Sequence, residues 1–451
     1  MKGRIVFYDR TYYPFSKFDG KCVGCPTRLR SMAVTTRLTW LQKKILQNHF
    51  GDKKFSLLYK ASVHGFSTQD LHNRCCNQGP IITVIYSENV VSGVYVEENY
   101  QGGTTDSIII FVLRETEISE CKANSYNLFV NYNDNAQYCI NLQSGNVLIP
   151  PQIAKRLELP PGHQYSFQEC EVFRCEDTVD ERKIQGLIQL RDQLLLAMRV
   201  YKPSGNLVNQ VKILLLGPIG AGKSSFFNSV KSVFQGYVSH QALVGDDTTG
   251  TSKNYRVYSM KDRINGASLP FVLCDSLGLG EDEEGLCVED ILSLIKGHVS
   301  DRYQFNSMKP ITSSDVKYIK YPQLKDRIHC AVFVFDINSI EHLSYGMVAK
   351  IKRIRREMIK CGMLHVVLLT HVDSMKLITR GDLIDIYSCV PVKLKINAVH
   401  RNLGFSVSDI LVVSNYSSEW ELDAIKDILI LSALRKMLWT ADDFLEDFPL
   451  E

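Results

Sequence analysis

Several features that would simplify assignment are absent from this 451-residue chain. No apolar run reaches the roughly 18 residues that a membrane-crossing helix needs. The first residues, MKGRIVFYDRTYYPFSKFDGKC, are basic but contain no continuous apolar segment, so they do not read as a secretion signal. A formal net charge of +3 is close to balance and gives no electrostatic case for a specific nucleic-acid partner. Internal repeats and low-complexity tracts are missing as well. The 13 cysteines are odd in number, and the CxxC at Cys22 and Cys25 has no second pair to complete a four-ligand zinc site. Reduced thiols in a cytoplasmic protein are the expectation.

What is present is ordinary in bulk and informative in order. An apolar share of 45% and a charged share of 22% suit globular domains, and the length allows two or three. Residues 1–31 read as a flexible arm or an extension from an upstream start codon, because they lack periodicity and stop before Met32. Residues 32–177 read as an α+β domain. Leu38, Leu41, Ile45 and Leu46 have near-helical spacing, and FSLLYKASVHGFSTQDLHNRC reads as a strand, a turn at His64-Gly65 and a helix capped by Ser67 or Thr68. PIITVIYSENVVSGVYV and SIIIFVL are β-branched and read as antiparallel strands. Cys75 and Cys76 read as core thiols. A helix is expected between Glu176 and Lys202, ended by Pro203 and Gly205, with 178–205 as a linker.

Residues 206–451 change rhythm to strand, loop, helix. VKILLLG, LPFVLCD, IHCAVFVFD, LHVVLLT and DILVVSN are short apolar runs that suit a mainly parallel, doubly wound α/β sheet covered on both faces. In such a sheet ligands sit at the carboxyl ends of the strands. Gly217-Pro-Ile-Gly-Ala-Gly-Lys-Ser224 satisfies G-x-x-x-x-G-K-[ST] between a strand and a helix, the setting of a phosphate-binding P-loop. Gly217, Gly220, Ala221, Gly222, Lys223, Ser224 and Ser225 are the candidate phosphate contacts. Glycines admit close backbone approach, and the helix start favours an anion. Lys223 is placed for the β- and γ-phosphates, and Ser224 for Mg²⁺.

Asp275-Ser-Leu-Gly278 follows at the next strand end, an acid for Mg²⁺ and a glycine amide for the γ-phosphate. Thr370-His371-Val-Asp373 matches [NT]-K-x-D except for His371. The Asp373 carboxylate would accept from guanine N1 and N2, donors that adenine lacks. Ser414 and Asn415 end the last strand, where the loop would meet the base. DDTTGTSKNY reads as a switch segment in which Thr248, Thr249 or Thr251 adds a metal ligand, with Thr249 preferred. GTP or GDP with Mg²⁺ is therefore the expected cofactor. The residue after Gly278 is Leu279, which cannot orient water. Ser276, Asp282, Glu283 and Glu284 are weak substitutes, and no catalytic residue is assigned. KIKRIRREMIK, Lys350 to Lys360, reads as a helix with Ile351, Ile354 and Met358 inward and a solvated basic face.

The segments GPIGAGKSSFFNSV, LPFVLCDSLGL, DRYQFN, LKDRIHC, SNYSSEWELD and ADDFLED resemble the interferon-induced protein 44 family. Within the first domain LTW, LLYKASVHGFS, RCCNQGPIITVIYSENVVSGVYVEENY and CEVF resemble a TLDc domain, from which Asn124–Gln137 departs. The resemblance implies interferon-induced cytoplasmic proteins with antiviral and antiproliferative activity, assembly into microtubule-like structures, and protein partners in innate immune signalling. A scaffold whose nucleotide is structural, with the TLDc-like domain making the contacts, is the alternative.

Overall fold

Strands as rich in β-branched and apolar residues as Ile81–Tyr86 need cover on both faces, and a computed structural model of the chain provides it. The structure describes residues 35–88, 90–101, 105–125, 128–129, 138–160, 164–177, 181–239, 254–264, 266–280, 285–306, 309–375 and 378–447. They fall into two compact units, one before Glu181 and one from Glu181 onward.

The first unit runs α1 (Trp40–His49), β1 (Lys53–Lys60), α2 (Ala61–His64), α3 (Thr68–Cys75), β2 (Ile81–Tyr86), β3 (Val91–Val96), β4 (Thr105–Arg114) and β5 (Glu117–Ser125). It continues through β6 (Cys139–Asn141), β7 (Asn146–Leu148), α4 (Pro151–Arg156), β8 (Gln164–Ser166) and β9 (Glu169–Asp177). Six strands form an antiparallel sheet in the order β1-β9-β2-β3-β4-β5, and β6-β7-β8 form a smaller one. Ile81 and Ile85 join one core with Leu71, Ile140 and Leu157, while Ile82 and Val84 join another with Leu46, Phe55 and Phe111. The two covered faces explain why alternation in the sequence is only partial.

Ser67, rather than Thr68, caps α3, its Oγ accepting from Asp70 N at 3.4 Å. Cys75 is fully buried, and burial pushes its thiol up to about 12, as suits a core thiol, while Cys76 is half-buried. Most of Asn124–Gln137, like Cys22 and Cys25, lies outside the described residues.

The second unit contains α5 (Glu181–Val200), β10 (Val211–Leu216), α6 (Lys223–Gln235), β11 (Arg256–Lys261), β12 (Ser268–Asp275), α7 (Val288–Ile295) and β13 (Cys330–Asp336). Then come α8 (Tyr345–Lys360), β14 (His365–Thr370), α9 (Val390–Leu403), β15 (Ile410–Val412) and α10 (Ala424–Glu446). The strand order is β11-β12-β10-β13-β14-β15, parallel except for β11 at the edge. That antiparallel edge strand is a feature the sequence pattern did not reveal: only half-buried, RVYSMK carries no apolar run. α5 begins at Glu181 instead of Glu176 because β9 pairs with β1 as far as Asp177. It packs along α10 and buries Leu194 and Met198 in the core of this unit. Ile351, Ile354 and Met358 of α8 face inward as their spacing requires. No helix among the described residues is long and apolar enough to cross a membrane.

Candidate nucleotide site

The strand order sets β12, β10, β13, β14 and β15 side by side, so Asp275, the loop after Leu216, Asp336, Thr370 and Ser414 meet along one sheet edge. This edge brings the phosphate motif, the D-x-x-G motif and the [NT]-K-x-D-like motif together.

At the phosphate end the glycines answer to geometry. A Cβ on Gly217 would lie 2.1 Å from the Val334 carbonyl oxygen, and one on Gly278 would lie 2.6 Å from Ile219 Cγ1. Gly220 and Gly222 hold positive φ values of 77° and 84°, a backbone that favours glycine. Gly222 is also the N-cap of α6, whose first residue is Lys223. Lys223 is almost fully buried, and its Nζ donates to the carbonyls of Gly217 and Pro218, each at 2.9 Å. Burial lowers its pKa, an effect that the nearby Asp275 offsets only in part. The Ser224 hydroxyl donates to Asp275 Oδ2 at 2.9 Å. A hydroxyl beside a carboxylate is the hard oxygen pair that Mg²⁺ takes, so the donor set fits that ion. Ser225 supplies its carbonyl to Ser229 Oγ at 2.7 Å within α6. Thr249 lies outside the described residues, as do Thr248, Thr251, Asp282, Glu283 and Glu284.

Leu279 has a structural task. It is buried, its N–H donates to Gly217 O at 2.9 Å, and Leu286 N donates to Gly278 O at 3.1 Å. The D-x-x-G loop therefore lies against the phosphate loop. From α8, Lys350 Nζ donates to Gly280 O at 2.9 Å, so the basic face of that helix is not only solvated. Ser276 is buried, its Oγ donating to Leu215 O at 3.2 Å, so it is committed to the sheet and not to water.

The base end hangs from Thr370. Its buried Oγ1 donates to Ala221 O at 2.8 Å, tying β14 to the phosphate loop. Asn415 Nδ2 makes the same kind of tie to Gly222 O at 3.2 Å. Among the described residues, Asn415 Oδ1 and the Ser414 hydroxyl are buried without a hydrogen-bond partner. His371 has left-handed backbone (φ 57°), with Nδ1 3.1 Å from Thr370 Oγ1 and 3.6 Å from Asp336 Oδ1. The Asp336 carboxylate raises its pKa, more than burial lowers it. Asp373 meets Lys426, whose Nζ donates to Oδ2 at 3.1 Å and also to Glu419 and to Asn415 O. Burial alone would raise the Glu419 pKa, but hydrogen bonds from Lys426 and the Ser417 amide bring it down to about 2. Asp336, Glu419 and Lys426 escaped the sequence reading. Asp336 ends the apolar strand run as Asp275 does, a usable signal; Lys426 sits inside a helix and has none.

Residues 30–149 match the TLDc domain. Interferon-induced protein 44 from Pan troglodytes is 60% identical over 427 residues, covering 93% of this chain and 96% of the relative. Interferon-induced protein 44-like from Homo sapiens is 42% identical over 439 residues, covering 93% and 97%. Among solved structures, Toc33 from Arabidopsis thaliana aligns over 58% of this chain and 92% of its own, at 16% identity and a TM-score of 0.33.

Proposed function

The chain belongs to the interferon-induced protein 44 family, and from that premise we propose that it is a guanine-nucleotide-binding protein of the interferon response. The observation that carries the nucleotide reading is the Thr370 bond to Ala221 O, which sets Asp373 and the phosphate loop on one frame. Lys223 would leave the loop carbonyls for the phosphates, and Ser224 with Asp275 would hold Mg²⁺, which neutralises phosphate charge when bound. Asp373 would select guanine over adenine, because guanine N1 and N2 can donate to the carboxylate that Lys426 holds in place and adenine has no such donors.

Hydrolysis is proposed to be slow in the isolated chain. Leu279 is apolar and committed to Gly217, so the water-orienting group would come from the switch segment, a second copy or a protein partner. The cellular role proposed is that of a cytoplasmic antiviral and antiproliferative effector, acting with proteins of innate immune signalling and self-assembling. Equilibrium titration of the purified protein with GDP, GTP, ADP and ATP tests the reading. Guanine nucleotides should bind at least about 100-fold more tightly, near 2.7 kcal/mol, and equal affinities would refute it. A GTP turnover rate that rises faster than protein concentration would support completion of the site by self-association.

The buried, inward-bound Lys223 also favours a second reading, a scaffold in which nucleotide is structural. Loss of antiviral activity in a folded Lys223→Ala protein would count against it.

A further inference from the structure

Within the nucleotide motifs, only His371 could lend the purine ring a flat face, which leaves the other face of the base to be covered from elsewhere. The lysine of [NT]-K-x-D is replaced by His371, whose Nδ1 is engaged with Thr370 and Asp336 at the strand ends. Beside Asp373 lies a cavity of about 620 Å³, lined by Asp373, Ile378, Leu383, Trp420, Leu422 and Lys426 among others. Trp420 is 91% exposed there, an indole left in water beside the carboxylate assigned to the base. Tyr321 and Tyr345 are about as exposed, so it is the place of Trp420 beside Asp373, and not its exposure alone, that marks it.

The surrounding loop narrows what the indole meets. The Tyr416 amide donates to Ser229 Oγ at 2.9 Å, and the Ser417 and Ser418 amides donate to Glu419 Oε2 at 2.8 and 3.1 Å. Those three donors are spent within the protein, so this loop offers a base its side chains. Lys426 Nζ binds both Asp373 and Glu419, the residue before Trp420. One ammonium thus fixes the base-reading carboxylate and the root of the indole.

We propose that Trp420 is the stacking platform for the purine ring, with Lys426 and Glu419 as the positioning residues that set it against Asp373. The inference rests on the nucleotide reading above, and aromatic stacking on a base gives the ligand-facing chemistry. A stacked indole is sensitive to any purine, whereas Asp373 distinguishes guanine.

The test uses the full chain with GDP, followed by calorimetry and tryptophan fluorescence. GDP should quench wild-type fluorescence. In Trp420→Phe the quench should vanish, although Trp40 and Trp439 remain, while the affinity stays within about threefold. Trp420→Ala should bind GDP about tenfold more weakly and inorganic pyrophosphate unchanged. Lys426→Met should reduce the quench at saturating GDP, and Lys426→Arg should restore it. Full GDP affinity in Trp420→Ala, or a quench that persists in Trp420→Phe, would overturn the proposal. An unaltered quench in Lys426→Met would remove the positioning role. Equal wild-type affinity for ADP and GDP would instead refute the guanine reading, since stacking holds either purine.

Discussion

The phosphate end and the base end of the proposed nucleotide site are built on different principles. At the phosphate end, backbone does the work within 8 consecutive residues, Gly217–Ser224, and side chains close on that same loop. At the base end, Thr370, His371, Asp373, Asn415, Glu419 and Lys426 come from the end of β14, the turn after it, the loop after β15, and α10. The first end is a local conformation that glycines make possible; the second is a tertiary assembly held by ion pairs. Local conformations leave motifs in a sequence, and assemblies leave scattered residues.

The contrast is broken most sharply at Gly217. Gly217→Ala puts a methyl against the Val334 backbone oxygen, which cannot swing away, and should cost at least about 3 kcal/mol in urea unfolding. Gly220→Ala has open space around its Cβ and only the positive φ to bear, so about 1 kcal/mol is expected. Equal costs would show that the phosphate loop is not set by contact with β13.

Lys223→Ala should lower GTP affinity at least about 100-fold, roughly 2.7 kcal/mol, and leave the protein folded at a cost of about 1–3 kcal/mol for the loop carbonyls it unpairs. Calorimetry beside the denaturation curve separates the two. A variant that binds normally would show that the ammonium stays with the loop carbonyls.

The base end offers a smaller effect. The folded-state pKa of His371 is raised, so its contribution to stability is complete below about 6.5, the ordinary histidine value, and lost as pH rises through the folded value. At this half-exposed position it should be well under 1 kcal/mol. Wild type should be stabilised relative to His371→Gln more at pH 5.5 than at pH 8.5. A difference of the opposite sign would dissociate His371 from Asp336.

The same contrast accounts for what the sequence discloses. The parallel strands, the phosphate loop, the strand-end Asp275 and the Thr370–Asp373 motif are legible because each is written in a contiguous run. Edge strand β11 is not, since one-sided cover leaves it polar. The start of α5 is displaced because pairing of Asp177 with Lys53 overrides helical periodicity. Leu279 reads as a missing water-orienting residue, and the fold adds that its backbone pins two loops together. Lys426 and Glu419 have no such contiguous signal, because packing of α10 beside β14 brings Lys426 to Asp373, and Glu419 joins them from the preceding loop through Lys426.

The central claim is that Asp373 reads the base. Xanthine carries a C2 carbonyl where guanine carries an amino group, and an asparagine amide donates to the former but a carboxylate does not. Affinities for GDP and xanthosine diphosphate, measured on wild type and Asp373→Asn, are therefore decisive. Wild type should prefer GDP and Asp373→Asn should prefer xanthosine diphosphate, each by at least about tenfold, or 1.4 kcal/mol. An Asp373→Asn protein that keeps the wild-type preference for GDP would contradict the account.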